Sequence, residues 1–401
     1  MTLRLELLPE DGPTPTSWLA SPAQRFRAQR ALSRWIDVPW VVHTPNPPPQ
    51  WVPPLRIQQR HLLDQQRNPI WKRMDRALFL AHRDGEVVGR VAAIENRGHN
   101  EVHGDRVGFF GFFECRDDPE AARLLLDGAE SWLAGRGLTA MRGPTSPSMN
   151  QECGLLVRGF RHHPMILTTW NPPYYEALLE GWGLERVHDL LAFPFLLAQR
   201  FDLPEIYYRQ GERARRDLGI TFRDIRVGNV DSEIDTLWTI YNEAWEPNWG
   251  FVPMTREEFR ALARDFAPMA IPQFTFVAEV EGEPAGFMLI LPDYHQVQKR
   301  IPSGRLLPTG LVKLMMGKRR LRTGRVVAMG VRRRFRTRGI FPLFATEAMR
   351  RAKEYGALGA EASWILADNE AMIRPLRRIG LKAYRQWRLY EKPIEPDRTG
   401  R

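Results

Sequence analysis

Two short stretches of the chain, residues 78–83 and residues 86–95, are apolar runs of strand length that are rich in Leu, Val, Ala and Phe. Asp84-Gly85 separates the two runs, and this dipeptide is typical of the tight turn of a β-hairpin. A third strand at 108–114 and an amphipathic helix at 119–136 are predicted next. This order of elements predicts a mixed, mostly antiparallel sheet flanked by helices, which is an α+β fold.

The hairpin pattern occurs twice in the chain. Residues 79–89 recur as residues 276–286, which is 197 positions later, with Phe, Ala, Gly, Glu and Gly in register. Each copy continues with a strand, a helix, a strand and a short helix opened by Asn and closed by Gly. Chance explains a similarity that is limited to one hairpin. The shared order of the elements after the hairpin favours duplication instead.

The duplication predicts a chain of two tandem domains. The first domain is expected over 23–200 and the second over 220–401. A charged helix within 201–219 joins them, and residues 1–22, rich in Pro, Thr and Ser and without apolar periodicity, are expected to form a flexible arm.

Composition excludes several classes of protein. The chain has 401 residues, of which 43% are hydrophobic and 26% charged, so it is neither disordered nor fibrous. Apolar runs are too short to span a bilayer, and the charged N-terminus does not resemble a secretory signal. Cys115 and Cys153 fit no zinc site or disulfide framework, and each is interpreted as a buried small side chain rather than a catalytic thiol. We expect a soluble, cytoplasmic protein without metal or membrane partner.

The net charge of +11 is confined to one part of the chain. Residues 294–346 contain fourteen Lys and Arg and no Asp or Glu, so the remainder is slightly acidic. A uniformly basic protein would suggest a nucleic-acid partner. A local excess indicates a site for an anionic ligand instead.

This basic stretch includes a strand that leads through a glycine-containing loop into a helix. The strand covers 326–331, and the loop reads Arg332-Arg-Arg-Phe-Arg-Thr-Arg-Gly339. Backbone N–H groups at the start of a helix, together with guanidinium groups, make an anion site suited to a pyrophosphate. The alternative is a solvated basic turn.

With Arg336-x-x-Gly339 in this position, the chain resembles the GNAT superfamily of N-acyltransferases, whose pyrophosphate loop reads Q/R-x-x-G-x-G/A. Asn369, which opens a helix that ends in Gly380-Leu381, matches a later family signature. The resemblance covers 220–394 and, more weakly, 75–198, as in a tandem GNAT protein. It implies that the second copy binds acetyl-CoA or another acyl-CoA. The residues implied for binding this co-substrate are Met329, Val331, Arg336, Thr337, Arg338, Gly339, Ile340, Phe341 and Asn369.

Three departures from the family pattern limit what the resemblance implies. The last position of the family's loop is Gly or Ala, but here it is Phe341. The tyrosine that often serves as the acid in the family is replaced by Leu376. In the first copy, the corresponding helix start carries Asp117, Asp118 and Glu120, where phosphate would lie. The first copy is therefore expected to have a structural role and not to bind coenzyme A.

The acceptor side is predicted at the end of the first helix of the second copy. Glu243, Trp245, Glu246 and Trp249 cluster there, and such a set suits a cationic or amine substrate. Glu243 or Glu246 is a candidate general base, and His295 is another candidate catalytic residue. The alternative is an aromatic core with a polar loop and a structural histidine.

These observations lead to three hypotheses about function. The first is an acyl-CoA-dependent N-acyltransferase that passes an acyl group, expected to be acetyl, directly to an amine of a small molecule or peptide. The second is a Fem-type transferase that uses aminoacyl-tRNA, because such enzymes also resemble tandem GNAT domains. The third is a non-catalytic protein that binds coenzyme A or acts as a scaffold.

Overall fold

A computed structural model describes residues 2–9, 22–44, 46–318, 320–336 and 340–395. The chain divides into two compact units, each assembled from segments that are not contiguous in sequence. Unit 1 comprises Met1–Asp189, Val297–Leu314 and Gln386–Arg401, and unit 2 comprises Leu190–Gln296 and Met315–Arg385.

Fifteen strands are present in the described residues. They are β1 (Leu3–Leu7), β2 (Met74–Arg83), β3 (Glu86–Asn96), β4 (Val107–Cys115), β5 (Ala140–Gly143), β6 (Thr145–Ser146), β7 (Glu152–Cys153), β8 (Leu155–Arg158), β9 (Glu185–Phe195), β10 (Ile220–Asp224), β11 (Thr275–Val280), β12 (Glu283–Pro292), β13 (Thr323–Val331), β14 (Gly359–Leu366) and β15 (Arg385–Pro393).

Twelve α-helices accompany the strands in the same residues. They are α1 (Pro22–His43), α2 (Arg56–Leu62), α3 (Arg97–His103), α4 (Pro119–Ala134), α5 (Tyr174–Gly181), α6 (Glu205–Asp217), α7 (Ile234–Trp245), α8 (Arg256–Phe266), α9 (His295–Gln298), α10 (Gly310–Lys318), α11 (Ile340–Tyr355) and α12 (Glu370–Arg378). Among the described residues, none of these helices is long and apolar enough to cross a membrane.

In unit 1 the strands follow the order β1-β2-β3-β4-β5-β15, and β8 also pairs with β15. Strand β1 lies within the predicted flexible arm 1–22, so for these five residues the prediction is wrong, because their backbone pairs with β2. Pairing is antiparallel except between β4 and β5, which are parallel. Helix α4 buries a stripe of Ala and Leu at helical spacing against this sheet, from Ala121 to Leu133. The predicted turn at Asp84-Gly85 is present, and both of its residues have positive φ angles, 51° and 87°.

In unit 2 the order is β10-β11-β12-β13-β14, and residues 190–195 of β9 pair with β14. The β13–β14 pair is parallel and the other pairs are antiparallel. Helix α11 packs Ile340, Leu343 and Phe344 on one face of the sheet, and α7 packs Ile234, Leu237 and Ile240 into a second cluster. Both units therefore have a mixed, mostly antiparallel sheet flanked by helices, which confirms the α+β prediction.

Candidate functional site

The two parallel strands of unit 2 separate partway along their length. Their ladder joins Thr323–Val326 to Gly359–Ala362, after which β13 continues to Val331 and β14 to Leu366. A β-bulge in β13 coincides with the separation, because Leu289 pairs with Ala328 and Ile290 with Val326, leaving Val327 as an extra residue. The described residues therefore form an opening between the two strands, and Met329 and Val331 lie on its β13 side.

A loop and helix α11 follow β13 at this opening. The helix begins at Ile340, so the N–H groups of its first turn have no carbonyl partner within the helix. Ile340 is buried in the core, while Phe341 is half-buried. Thr337, Arg338 and Gly339, which the sequence implicates in binding the pyrophosphate, lie outside the described residues.

Arg336 connects this loop to the end of α7. Its guanidinium donates hydrogen bonds to the backbone carbonyls of Glu243 (2.9 Å) and Ala244 (3.0 Å), and its Nε donates to the carbonyl of Val331 (3.2 Å). Carbonyls in the last turn of a helix lack partners within the helix, and a cation there also complements the helix dipole. The Arg336 side chain thus caps α7 and holds the loop against it.

The three arginines before Arg336 are paired with carboxylates. Arg332 contacts Glu243 and Glu283, each at 2.8 Å, Arg333 contacts Glu246, and Arg334 contacts Glu283. These ion pairs neutralise much of the positive charge that the sequence places in this loop.

Glu243 holds two successive residues of the loop. In addition to the Arg332 contact, its Oε1 accepts a hydrogen bond of 2.7 Å from the backbone N–H of Arg333. Burial alone raises the pKa of the Glu243 carboxyl, but the hydrogen bonds from Arg332 and the Arg333 backbone outweigh it, and the pKa lies below its ordinary value. The carboxylate is therefore ionised and already bound to donors. Glu246, by contrast, is exposed, and its carboxylate forms an ion pair with the Arg333 side chain.

Trp245 packs against β13. A Cβ on Gly330 would lie 2.5 Å from the Trp245 ring and 2.9 Å from the Cβ of Ala244, so glycine is required for this approach. The ring also stacks on Tyr241, with ring centroids 4.6 Å apart. Trp245 thus contributes to the aromatic packing that the sequence left as an alternative to substrate binding. Trp249 is half-buried in the turn after α7.

His295 lies away from the loop. It begins α9 just after β12, where the neighbouring Asp293 backbone N–H bonds to Thr323 at the start of β13. The loop begins at the other end of this nine-residue strand, which is on the order of 25 Å away along the strand. Glu243, Glu246 and Arg336 are brought together by the fold, and His295 does not join them.

Asn369 lies across the opening from the loop. It follows β14, and because β13 and β14 are parallel it occupies the same edge of the sheet as the loop. Its side chain accepts a hydrogen bond of 3.2 Å from the N–H of Met372 and caps α12.

A buried charged network on β14 was not found from the sequence. Glu361 and Arg385 are both fully buried and form an ion pair, and Tyr384 donates a hydrogen bond to Glu361. Ser363 donates to Glu361 at 2.5 Å and accepts from Arg325 at 2.9 Å. Ser363 is the first residue of β14 beyond its ladder with β13, so the network lies where the strands separate.

The corresponding opening in unit 1 is filled by the chain itself. The β4–β5 ladder ends at Phe109–Arg142, and β6 then lies against β4. The Phe112 N–H donates to Ser146 Oγ at 2.9 Å, and a Cβ on Gly111 would overlap the Thr145 carbonyl. Among the described residues, β6 thus occupies the place beside β4 that a ligand arm would take.

The helix that follows β4 starts with a carboxylate cap. Asp118 Oδ1 accepts a hydrogen bond of 3.1 Å from the Ala121 N–H, and Arg83 binds both Asp118 oxygens at 2.6 and 2.8 Å. A second carboxylate, Glu120, also contacts Arg83. The helix N-terminus that would face a phosphate is thus occupied by acidic side chains of the chain itself.

Comparison with known proteins agrees with this architecture. Residues 234–381 match the family model described as Acetyltransferase (GNAT) family. The chain belongs to the GNAT family, and the expectation of a tandem GNAT protein is confirmed.

Two relatives match nearly the full length. One is a protein of Caulobacter vibrioides (strain NA1000 / CB15N) named bacterial ceramide synthase, 34% identical over 370 residues, which are 90% of this chain and 95% of the relative. The other is protein YghO of Escherichia coli (strain K12), 33% identical over 378 residues, which are 92% of this chain and 94% of that protein. A solved tandem GNAT protein from the clavulanic acid biosynthesis pathway has the same fold, with a TM-score of 0.54, 14% identity and coverage of 98% and 99% of the two chains.

Proposed function

We propose that unit 2 binds an acyl-CoA in the opening between β13 and β14 and transfers its acyl group to an amine. The observation that carries this proposal is the separation of these strands directly before the start of α11. The first-turn N–H groups at Ile340 and Phe341, with the residues of the loop before them, would hold the pyrophosphate. The edge of β13 beyond Val326 would hold the amide-containing pantetheine arm as a neighbouring strand does.

The contacts of the loop after β13 suit it to hold the phosphate groups of the ligand in a fixed position. Arg332, Arg333 and Arg336 are held by Glu243, Glu246 and the end of α7, so residues 332–336 are held in place before any ligand binds. We assign Glu243 to this positioning role because its carboxylate already accepts two hydrogen bonds. A preordered anion site reduces the free-energy cost of binding a flexible phosphate group.

Transfer would be direct. The amine nitrogen forms a bond to the thioester carbonyl carbon, a backbone N–H stabilises the oxyanion, and the C–S bond then breaks. The amine proton is lost and the departing sulfur takes up a proton to leave as the thiol of coenzyme A. Leu376 has an aliphatic side chain that cannot donate a proton, and it is buried in the core. The proton donor therefore does not come from that position.

The acceptor and donor are proposed from the Caulobacter relative. The name of that relative, bacterial ceramide synthase, designates a product in which a fatty acyl group is joined by an amide bond to a long-chain amino alcohol. Since the match, at 34% identity, covers 95% of that protein, we assign a long-chain amine as acceptor and a fatty acyl-CoA as donor. An acetyl donor, expected from the sequence, is the competing possibility.

An acyl-transfer assay with the purified chain tests both choices. Palmitoyl-CoA and acetyl-CoA are each mixed with sphinganine or with a short amine, and thiol release and the mass of the amide are followed. We expect thiol release and an N-acyl product with palmitoyl-CoA and sphinganine. Faster turnover with acetyl-CoA would overturn the choice of acyl chain, and coenzyme A binding without thiol release from any pair would favour a non-catalytic role.

A pair of glycine variants distinguishes loss of the loop from loss of folding. Gly339→Asp places a carboxylate in the loop and should abolish acyl-CoA binding and transfer. Gly228→Asp is the matched control, because a Cβ at Gly228 meets no atom within 4 Å. Equal activity of both variants, or turnover that requires aminoacyl-tRNA in place of acyl-CoA, would refute the acyl-CoA proposal.

A further inference from the structure

An apolar surface faces solvent around helix α10. Five large hydrophobic side chains are exposed within ten residues of chain, namely Leu307, Leu311, Val312, Met315 and Met316. Leu307 is 75% exposed, Met315 68% and Met316 67%. Single exposed apolar residues are ordinary on protein surfaces, but a contiguous group of this kind marks an interaction site.

The orientation of α10 explains why these side chains are exposed together. Leu311 and Met315 are four residues apart, as are Val312 and Met316, so the four share one face of the helix. Gly310 is buried, and Leu314 and Gly317 are partly buried on the other face. The helix thus packs on the protein through Gly310, Leu314 and Gly317 and presents a larger apolar face outward, the reverse of an ordinary surface helix.

Basic residues flank this apolar face along the chain. Eight of the fourteen Lys and Arg in the acid-free stretch lie within residues 299–322. Over the described residues, none of these side chains forms an ion pair with a carboxylate. Lys299, Lys313 and Lys318 donate instead to backbone carbonyls. The positive charge here is therefore uncompensated, unlike that of the loop after β13.

The segment before α10 is held in place. Trp40 Nε1 donates to the Pro302 carbonyl at 2.7 Å, and Arg56 Nε donates to the Ser303 carbonyl at 2.9 Å. Gly304 has a φ of 64°, and a Cβ there would collide with the Pro54 carbonyl and the Trp40 ring. Leu307 is thus presented from an anchored stretch of chain.

We propose that residues 299–322 bind the surface of a membrane that contains anionic phospholipids. The outward face of α10 would enter the boundary between headgroups and acyl chains, and the surrounding Lys and Arg would contact lipid phosphates. Apolar anchors with basic side chains and no acid are the combination that interfacial binding requires, since each lysine or arginine adds attraction to an anionic surface. This departs from the sequence-based expectation of no membrane partner, and it does not depend on the proposed reaction.

Vesicle co-sedimentation of the full chain, without acyl-CoA or amine, tests this proposal. Vesicles of phosphatidylcholine alone are compared with vesicles that also contain phosphatidylglycerol. We expect binding to the anionic vesicles to be at least about tenfold stronger and to weaken as salt is added. The double variant Met315→Gln/Met316→Gln keeps good helix formers on α10 and should lose about tenfold in binding.

Two further variants separate the contributions. Arg300→Gln/Arg320→Gln should remove much of the salt dependence while leaving folding intact, because both side chains are exposed. Val102→Gln, an exposed apolar position on α3, is the matched control and should bind as the wild type does.

Absence of wild-type binding to anionic vesicles, or equal binding by the methionine double variant, would overturn the proposal. Self-association in sedimentation experiments that is lost in that variant, without vesicle binding, would assign the surface to a second copy of the chain. Binding of tRNA that is lost in the arginine variant, without vesicle binding, would assign it to nucleic acid.

Discussion

The Glu243 carboxylate holds the loop after β13 at two successive residues, by the side chain of Arg332 and the backbone of Arg333. The hydrogen bonds and the pKa of a carboxylate determine whether it can act as a general base. A general base needs a lone pair directed at the substrate and a pKa near the working pH. Glu243 has its oxygens on donors and a lowered pKa, so its effect on catalysis would pass through the position of the loop.

We therefore expect Glu243→Gln to weaken acyl-CoA binding about fivefold to tenfold, since a hydrogen bond to a charged group contributes about 1.5–3 kcal/mol and the amide retains part of it. The KM for acyl-CoA should rise with little change in kcat. Glu246→Gln, at an exposed ion pair, is the control and should be close to wild type. A kcat that falls sharply at an unchanged KM would instead indicate a base.

The lowered pKa of Glu243 also gives a pH prediction. A carboxyl whose pKa is lower in the folded state stabilises the protein fully above its ordinary value, 4.5, and this contribution is lost as the pH falls through the lowered value. The difference in Tm between wild type and Glu243→Gln should accordingly shrink below about pH 4.5. A difference that grows on acidification would contradict the role of the charge.

Gly330 allows Trp245 to reach β13, and this contact is open to a simple test. Gly330→Ala forces the new Cβ against the indole ring and α7, which should cost about 1–3 kcal/mol of the free energy of unfolding. Gly228→Ala, in open space, is the matched control. Thermal or denaturant unfolding measures both, and an unchanged stability of Gly330→Ala would show that α7 shifts freely.

Single residues also show where sequence reasoning reaches its limit. Glu361 occupies a buried position of β14, where buried and partly buried residues alternate. Small alanines flank it on both sides in the sequence, so the pattern does not reveal which face of the strand is buried. The partners that stabilise the charge of Glu361 are Tyr384 and Arg385, which lie 23 and 24 positions later in the sequence. Only the fold brings them into contact with Glu361.

At the scale of elements, helices α4 and α11 occupy equivalent places in the two copies but begin differently. Helix α4 starts with its own carboxylate cap, Asp118, bound to Arg83. Helix α11 follows a basic loop instead. Capping residues act over three or four positions, so the sequence alone predicted this contrast. The filling of the unit 1 opening by β6 could not be predicted, because it depends on the path of a polar loop.

We expect Asp118→Ala to destabilise the protein by about 1 kcal/mol through loss of the helix cap. The hydrogen bond from Arg83 is the largest cause of the lowered pKa of Asp118, so this stabilisation is complete above the ordinary value of 3.8 and lost as pH falls below it. Asp118→Asn keeps a capping oxygen but not the ion pair with Arg83, and it should recover only part of the loss. Glu120→Gln, largely exposed, should have little effect. Reduced acyl-CoA binding by Asp118→Ala at unchanged stability would contradict a purely structural role.

At the scale of the whole molecule, the fold changes the meaning of the net charge of +11. The sequence linked the basic stretch 294–346 to a phosphate site at its end. In the structure, Arg332, Arg333 and Arg334 are paired with carboxylates. The uncompensated charge lies earlier, around the exposed face of α10. The distribution of Lys and Arg along the chain correctly locates the excess of positive charge. It does not reveal which of these residues form ion pairs, because their partners lie about 90 positions away in the sequence.

The two copies also differ in the opening beside their parallel strands and in the helix start that follows, and this difference predicts the binding stoichiometry of the whole chain. Unit 2 has an opening between its parallel strands and a basic loop, whereas the opening of unit 1 is filled by β6 and its helix start is capped by Asp118. Calorimetric titration with an acyl-CoA should therefore give one site per chain. Gly339→Asp should remove that site, and Asp118→Asn should leave it unchanged. A second site, or a site that survives Gly339→Asp, would show that unit 1 binds coenzyme A in a manner that its acidic helix start does not explain.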